Sequence, residues 1–185
     1  IDHAQALQFG FNRDHTGGPA YGVRTLATVE AFTDASKEFT EKHPAPEGRF
    51  VNADGQVGAM WSLSFSPLQG ELAGLLQERV KQAVDRDDVE CWRICGETGG
   101  WLDYSQSSIE AFRRWLEQEH GTITTLNERW GSSYGSFAEI TPPKTFDDGR
   151  ACWLEFRDFC STVFCEAVGR QLPIIRDLDP KKRPC

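Results

Sequence analysis

Two glutamates stand where a strand-borne enzyme would carry acid–base chemistry. The stretch from Val89 to Tyr104 reads Val-Glu-Cys-Trp-Arg-Ile-Cys-Gly-Glu-Thr-Gly-Gly-Trp-Leu-Asp-Tyr. It predicts a short strand that runs out at Glu97 and is broken by Thr98, Gly99 and Gly100. Side chains alternate faces along a strand, so Val89, Cys91, Arg93, Cys95 and Glu97 share one face. Glu90, Trp92 and Ile94 share the other, and the Trp92–Ile94 pair suits packing under helices. A carboxylate at the C-terminal end of a strand, followed by a loop, is the usual place for chemistry in α/β enzymes. Glu30 ends a second such stretch, Gly22 to Glu30, which is β-branched and apolar. The plain alternative for each is a strand-end glutamate facing water. Two carboxyls across one cleft could share general acid–base work. Glu30 and Glu97 are open to that reading.

The elements that would position these groups are legible in part. Phe9 to Asn12 reads as a short strand before the Gly17-Gly18-Pro19 break. Ala35 to His43 predicts one or two helical turns, and Asn52-Ala53-Asp54-Gly55 a turn. Ser66-Pro67-Leu68-Gln69 is a helix start, with Ser66 as cap and Pro67 at the first helical position. Leu68, Leu72, Leu75, Leu76, Val80, Ala83 and Val84 follow at helical spacing. Strand, helix and strand in this order predict a βαβ unit with parallel strands and a right-handed crossover. Ser107 to Glu110 reads as another capping box, for a helix burying Ile109, Phe112, Trp115 and Leu116 and stopping at Gly121. A short helix over 124–130 stops at Gly131. A long one over 148–178 carries Trp153, Phe156, Cys160, Val163 and Ala167 on one face, with a kink expected at Pro173.

Composition excludes several function classes. The 185 residues suit one domain, 1–185, and 39% hydrophobic content supports a core. A net charge of −8, with no basic run longer than Lys181-Lys182-Arg183, argues against a nucleic-acid surface. No apolar run approaches the roughly 20 residues of a membrane span. Six cysteines without a C-x-x-C pair, and four histidines without ligand spacing, do not make a metal motif. Free thiols fit a reducing, cytoplasmic compartment. The start at Ile1, without an initiator Met, reads as processed or truncated. Gly131-Ser132-Ser133-Tyr134-Gly135 matches a nucleophile elbow only formally: that motif needs a strand before it, and here a helix precedes it. Gly96 to Gly100 lacks the Lys of a phosphate loop.

A set of segments resembles glycoside hydrolase family 42, the β-galactosidases. They are, in order, Gly22-Val23-Arg24-Thr25-Leu26-Ala27-Thr28, Lys42-His43-Pro44, Asn52 to Gly55, Ser66-Pro67 and Trp92-Arg93-Ile94-Cys95-Gly96-Glu97. Ala111 to Leu116, Gly121 to Gly131, Glu139 to Pro143 and Trp153 to Phe159 continue the series. The resemblance spans roughly residues 22–180. It implies a (β/α)8 TIM barrel of the clan A glycoside hydrolase type, incomplete in this chain, since a full barrel takes about 250 residues. It further implies a retaining mechanism on β-linked sugars, with Glu97 as acid/base and the nucleophile on a later strand outside this chain. Glu30, Trp101, Trp130 and Tyr134 are the expected sugar contacts. Carbohydrate and the remainder of the barrel are the expected partners, with a homo-oligomer left open. Nucleic acid, membrane and a cofactor are not expected.

The sequence departs from the family pattern at telling places. Gly96 stands where the family has Asn before the acid/base, and a barrel that keeps the fold but only binds carbohydrate, or serves as a scaffold, is the rival reading. A third is a self-contained α/β domain in which Glu30 and Glu97 work as an inverting pair, their carboxyls about 6.5–9.5 Å apart. Many members bind structural zinc through cysteines at positions that here are Leu63, Asp103, Ser105 and Ser108. Without thiolates the zinc should be lost. Elemental analysis of the purified protein is therefore expected to find no stoichiometric zinc. One zinc per chain, bound near Asp103, would overturn this.

Overall fold

The computed structural model describes residues 11–13, 24–29, 35–94 and 101–185. Glu30 and Glu97 lie outside the described residues, as do Cys95 and Gly96. The strands are β1 (Phe11–Arg13), β2 (Arg24–Thr28), β3 (Arg49–Val51), β4 (Val57–Trp61) and β5 (Val89–Arg93). The α-helices are α1 (Lys37–Lys42), α2 (Ser66–Ala83), α3 (Gln106–His120), α4 (Ile123–Trp130) and α5 (Arg150–Leu178). Two compact units result. One comprises residues 1–36, 70–98 and 167–185, the other 37–69 and 99–166. Among the described residues no helix is long and apolar enough to cross a membrane.

The first unit is built on a parallel sheet in the order β1-β2-β5. Thr28 pairs with Arg93, and the Val29 amide donates to the Arg93 carbonyl at 3.0 Å, so the ladder continues one residue past the end of β2. Leu76, Val80 and Ala83 of α2 bury against Ala27, Val29, Val89 and Trp92, together with Ile175 from α5. Each such large apolar side chain contributes about 1.5–3 kcal/mol when fully buried. Strict alternation along β5 does not hold. Thr25 pairs with Val89 but Leu26 with Cys91, so Glu90 is one extra residue against β2. A bulge of this kind disrupts the ladder locally. It explains why Val89 joins Trp92 in one core although the sequence spacing puts them on opposite faces.

A buried carboxylate closes this unit. Asp179, 1% exposed, accepts from the Trp92 indole at 2.8 Å and from Arg183 through Nε at 3.0 Å and Nη2 at 2.9 Å. The backbone amides of Lys181 and Arg183 complete its shell at 3.0 and 2.9 Å. Arg183 also donates to the carbonyls of Val84 and Arg86 and lies over the Trp92 ring at 4.7 Å. The Trp92 amide donates to the Pro184 carbonyl at 2.8 Å, on the side of β5 away from β2.

The second unit holds an antiparallel hairpin, β3–β4, that sequence reasoning reduced to its turn. Asn52 makes that turn: its Oδ1 accepts from the amides of Asp54 and Gln56 at 3.0 and 2.9 Å. Gly48, at φ +64°, packs against Phe65 where a Cβ would run into the ring. Phe112, Leu116, Leu126, Ile140, Cys152, Phe156 and Phe159 form the core. The buried arc of α5 is thus Cys152–Phe156–Phe159, turned from the predicted face. Cys160 and Val163 stand at its edge, packed against that core but only partly buried, and Trp153 is half-buried. The α3 cap also moves: Ser105, not Ser107, accepts from the Ser108 amide, and the helix begins at Gln106. Pro173 lies inside α5. Burial pushes the Cys152 and Cys160 thiols up to about 12.

Desolvation alone would raise the Asp179 carboxyl, but its hydrogen bonds, led by those from Arg183 and Trp92, outweigh that and hold it well below the usual range. A depressed carboxyl contributes stability that is full above its unfolded value of about 3.9 and is lost as pH falls through the folded one. Asp179→Asn in the intact protein is expected to destabilise at pH 7 by about 3–5 kcal/mol, since it strands Arg183. It should also flatten the acid limb of stability. Thermal unfolding at pH 7 and pH 3 checks both; an unchanged pH slope would count against the assignment.

Candidate functional site

The strand ends come first. β2 and β5 are adjacent and parallel, and their paired ends, Thr28 and Arg93, precede Glu30 by two residues and Glu97 by four. The scaffold on which both carboxylates were expected is therefore present up to Val29 and Ile94. The two carboxylates themselves lie outside the described residues.

Beyond Glu97 the chain resumes at Trp101, and a buried polar cluster begins two residues later. Asp103 accepts from the Val51 amide at 3.2 Å, from the Ser105 amide at 2.9 Å and from the Ser105 hydroxyl at 3.1 Å. The Ser105 Oγ lies 3.1 Å from that of Ser62 and accepts from the Ser108 amide at 3.2 Å. The Tyr104 amide donates to the Val51 carbonyl at 2.8 Å. One carboxylate and two hydroxyls thus tie the hairpin to the start of α3, and all four of Ser62, Asp103, Ser105 and Ser108 are buried. Every bond here is short-range and directional, and a buried carboxylate needs such partners. These residues do not fit zinc. Leu63 offers no donor atom, the Asp103 oxygens are already taken, and neutral hydroxyls are poor zinc ligands. Among the described residues there is no group of three or more His, Cys, Asp or Glu able to hold a metal.

The aromatic residues named from sequence separate into two places. Trp101 lines a cavity of 590 Å3 together with Trp61, Leu63, Asp103 and Trp153. Its ring meets Phe164 edge-on at 6.2 Å. Trp130 and Tyr134 are not in that lining. They meet each other edge-on at 6.3 Å and pack on the second unit's core. The Trp130 indole donates to Glu155 at 2.8 Å, and Glu155 Oε2 lies 2.7 Å from His120 Nε2. The formal nucleophile-elbow motif is a helix stop: Gly131 takes the left-handed conformation at the end of α4, and Ser132 donates to Asn127 at 2.8 Å. Sequence reasoning missed the Asp103–Ser105–Ser62 cluster as a structural unit. Its signal was the concentration of small polar residues around 103–108.

The family model described as beta-galactosidase, glycoside hydrolase family 42, matches residues 54–184. The chain belongs to this family. A beta-galactosidase of Arthrobacter sp is 31% identical over 124 residues, covering 61% of this chain and 17% of that protein. The chain thus spans under a fifth of that relative. The solved beta-galactosidase of the haloarchaeon Halorubrum lacusprofundi superposes with a TM-score of 0.73 at 25% identity, over 88% of this chain and 26% of the other. That of Marinomonas ef1 gives 0.76 at 22% identity, over 89% and 27%. The fold is accordingly part of a (β/α)8 barrel, and among the described residues the strands do not close into one.

The Asp103 cluster generates a test. Asp103→Ala in the intact protein removes the acceptor for two amides and a hydroxyl. It is expected to cost about 1–3 kcal/mol for each group left buried and unpaired, read as a lowered unfolding midpoint. A chelator should leave the wild-type midpoint unmoved, because no metal carries the load. Strong destabilisation of the wild type by chelator would refute this.

Proposed function

We propose that the protein serves in the hydrolysis of β-linked sugars, with a β-galactoside as the leading candidate, by a retaining mechanism in which Glu97 is the acid/base. The observation that carries this reading is the position of Glu97, four residues past the end of a parallel strand, in a chain that belongs to glycoside hydrolase family 42. The nucleophile is placed on a strand outside this chain. In a retaining enzyme two carboxyls about 5–5.5 Å apart divide the work. Glu97 first donates its proton to the glycosidic oxygen as the nucleophile attacks the anomeric carbon. Its carboxylate then takes a proton from the water that releases the sugar. A carboxyl that must start protonated is favoured by an apolar neighbourhood, and Trp101 is the nearest aromatic residue along the chain. Glu30 and Trp101 are proposed to contact the sugar. Trp130 and Tyr134, also expected there, have their packing on the second unit's core to set against that role.

A second reading rests on Gly96. With Asn expected before the acid/base and no side chain there, one amide contact to the sugar is missing, which favours a barrel that binds carbohydrate without cleaving it. The two readings part at the nucleophile: a second strand-end glutamate later in the protein supports catalysis, and its lack supports binding alone.

Glu97→Gln in the intact protein keeps the volume and removes the proton. General acid–base catalysis is worth about 10²–10⁴-fold, so turnover of natural β-glycosides is expected to fall by about that factor. Nitrophenyl glycosides need less protonation of the leaving group and should lose less in the glycosylation step. Wild-type rates on both substrate kinds in the variant would exclude Glu97 as the acid. No turnover by the wild type across a broad glycoside panel would favour the binding reading.

A further inference from the structure

The 590 Å3 cavity of the second unit is lined by residues of which the proposed chemistry names only Trp101. Its lining includes Trp61, Trp101 and Trp153, and two charged residues, Asp103 and Arg157. Trp61 is buried, with Arg49 over its ring and Phe65 stacked on it, so Trp101 and Trp153 are the indoles left to meet a ligand. The two charges differ in what holds them. The Asp103 carboxylate is occupied by the amides of Val51 and Ser105 and by the Ser105 hydroxyl. Arg157 is exposed and lies over the Trp153 ring, its Cζ 4.9 Å from the centroid. Among the described residues it has neither a hydrogen bond nor an ion pair, so the donors of its guanidinium remain open.

We propose that this cavity is a carbohydrate subsite for a sugar bearing an anionic group, a carboxylate or a sulfate. The choice of a sugar rests on the glycoside hydrolase reading; the choice of an anion rests on Arg157. Its volume falls within the roughly 300–1,000 Å3 of small-ligand sites, which combine apolar walls with few polar groups. Flat indole faces suit the C–H face of a pyranose, since an aromatic ring buries a large apolar area while its polar edge stays wet. The guanidinium is a planar fork of donors that fits two oxygens of a carboxylate or sulfate at once. Stacking on Trp153 limits its rotamers before any ligand arrives, which lowers the ordering cost of binding. A neutral sugar would use the walls and gain little from the fork.

The test is equilibrium binding to the intact protein carrying Glu97→Gln, so that turnover does not interfere. Three probes are titrated by calorimetry and tryptophan fluorescence: a galacturonic acid disaccharide, a sulfated galactose disaccharide and neutral galactobiose. At low salt at least one acidic probe should bind about tenfold or more tightly than galactobiose, as a charged hydrogen-bonded pair implies. Which acidic probe binds tells carboxylate from sulfate. Arg157→Gln should abolish the preference by weakening acidic probes far more than galactobiose, Arg157→Lys should keep only part of it, and Trp153→Ala should weaken all three. Equal affinities, or a preference that survives Arg157→Gln, would overturn the proposal. So would binding by none of the three, or a Trp153 closed to acrylamide quenching in the intact protein, which would mean that other residues fill the cavity. Binding as expected without any hydrolysis by the wild type would sink only the catalytic reading. Hydrolysis of neutral glycosides without acidic-sugar binding would sink only this one.

Discussion

The first unit depends on a single buried charge. Asp179 is 1% exposed, and a carboxylate in that setting is tolerable only with full pairing. Its partners come from both ends of the fold: the Trp92 indole from β5, Arg183 and two backbone amides from the segment after α5. Because Arg183 also reaches the carbonyls of Val84 and Arg86, the same knot fixes the turn that leads from α2 into β5. β5 is thereby gripped on its core face through the Trp92 side chain and on its outer edge through the Trp92 amide to Pro184. The strand that leads to Glu97 owes its position to polar pairing as much as to the apolar packing of Trp92 with α2.

The second unit uses the same device with different parts. Asp103 is also a buried carboxylate, but among the described residues it has no ion pair. It is held by two amides and a hydroxyl, the kind of donor set that stabilises a carboxylate without a counter-ion. Where the family resemblance leads one to expect thiolates, the chain has Leu63, Asp103, Ser105 and Ser108, and hydrogen bonds among Asp103, Ser105, Ser108, Val51 and Ser62 perform the joining. Ser105 does two tasks, since the hydroxyl that bonds to Asp103 also caps α3. That double use explains why the cap lies two residues before the one expected at Ser107. The sequence criterion scores local chemistry only, and Ser105 was selected by a partner, Ser62, 43 positions away.

What was legible in the sequence was what depends on neighbours along the chain. The helix from Ser66, the stops at Gly121 and Gly131, the strand at Val89 and the break after Asn52 all follow from capping, periodicity and turn chemistry. The order of segments was enough for the family. What escaped depends on distant pairing. The hairpin strands are three and five residues long and mostly half-exposed, so they carry almost no periodic signal. The Glu90 bulge is set by the register against β2, not by β5 itself. The buried arc of α5 was misplaced because a run containing Cys152, Trp153, Phe156, Phe159, Cys160 and Val163 is apolar over more than one face. Only the packing partners decide which face is covered. The pairing of Trp92 with Asp179 spans 87 positions and has no local mark at all.

These distant pairings bear on the chemistry through the geometry of the chain around Glu97. Acid–base catalysis demands that a carboxyl be held within hydrogen-bonding reach of one oxygen, and such reach is set by what precedes and follows the residue. On the preceding side, Arg93 pairs with Thr28 and its carbonyl accepts from Val29, so the strand is fixed to its last paired residue. On the following side, Asp103 and Tyr104 are bonded to Val51, so the chain is fixed again from two residues after Trp101. Both anchors are made of backbone amides and carbonyls answering to buried or paired groups, and neither relies on the identity of residue 96. On the family resemblance, Gly in place of Asn at that position would cost an amide contact to the sugar, while the bonds that make the two anchors lie at Arg93 and Val29 and at Asp103, Tyr104 and Val51. On the proposed reading, the residues that fix the chain on either side of Glu97 are therefore distinct from those expected to hold the sugar.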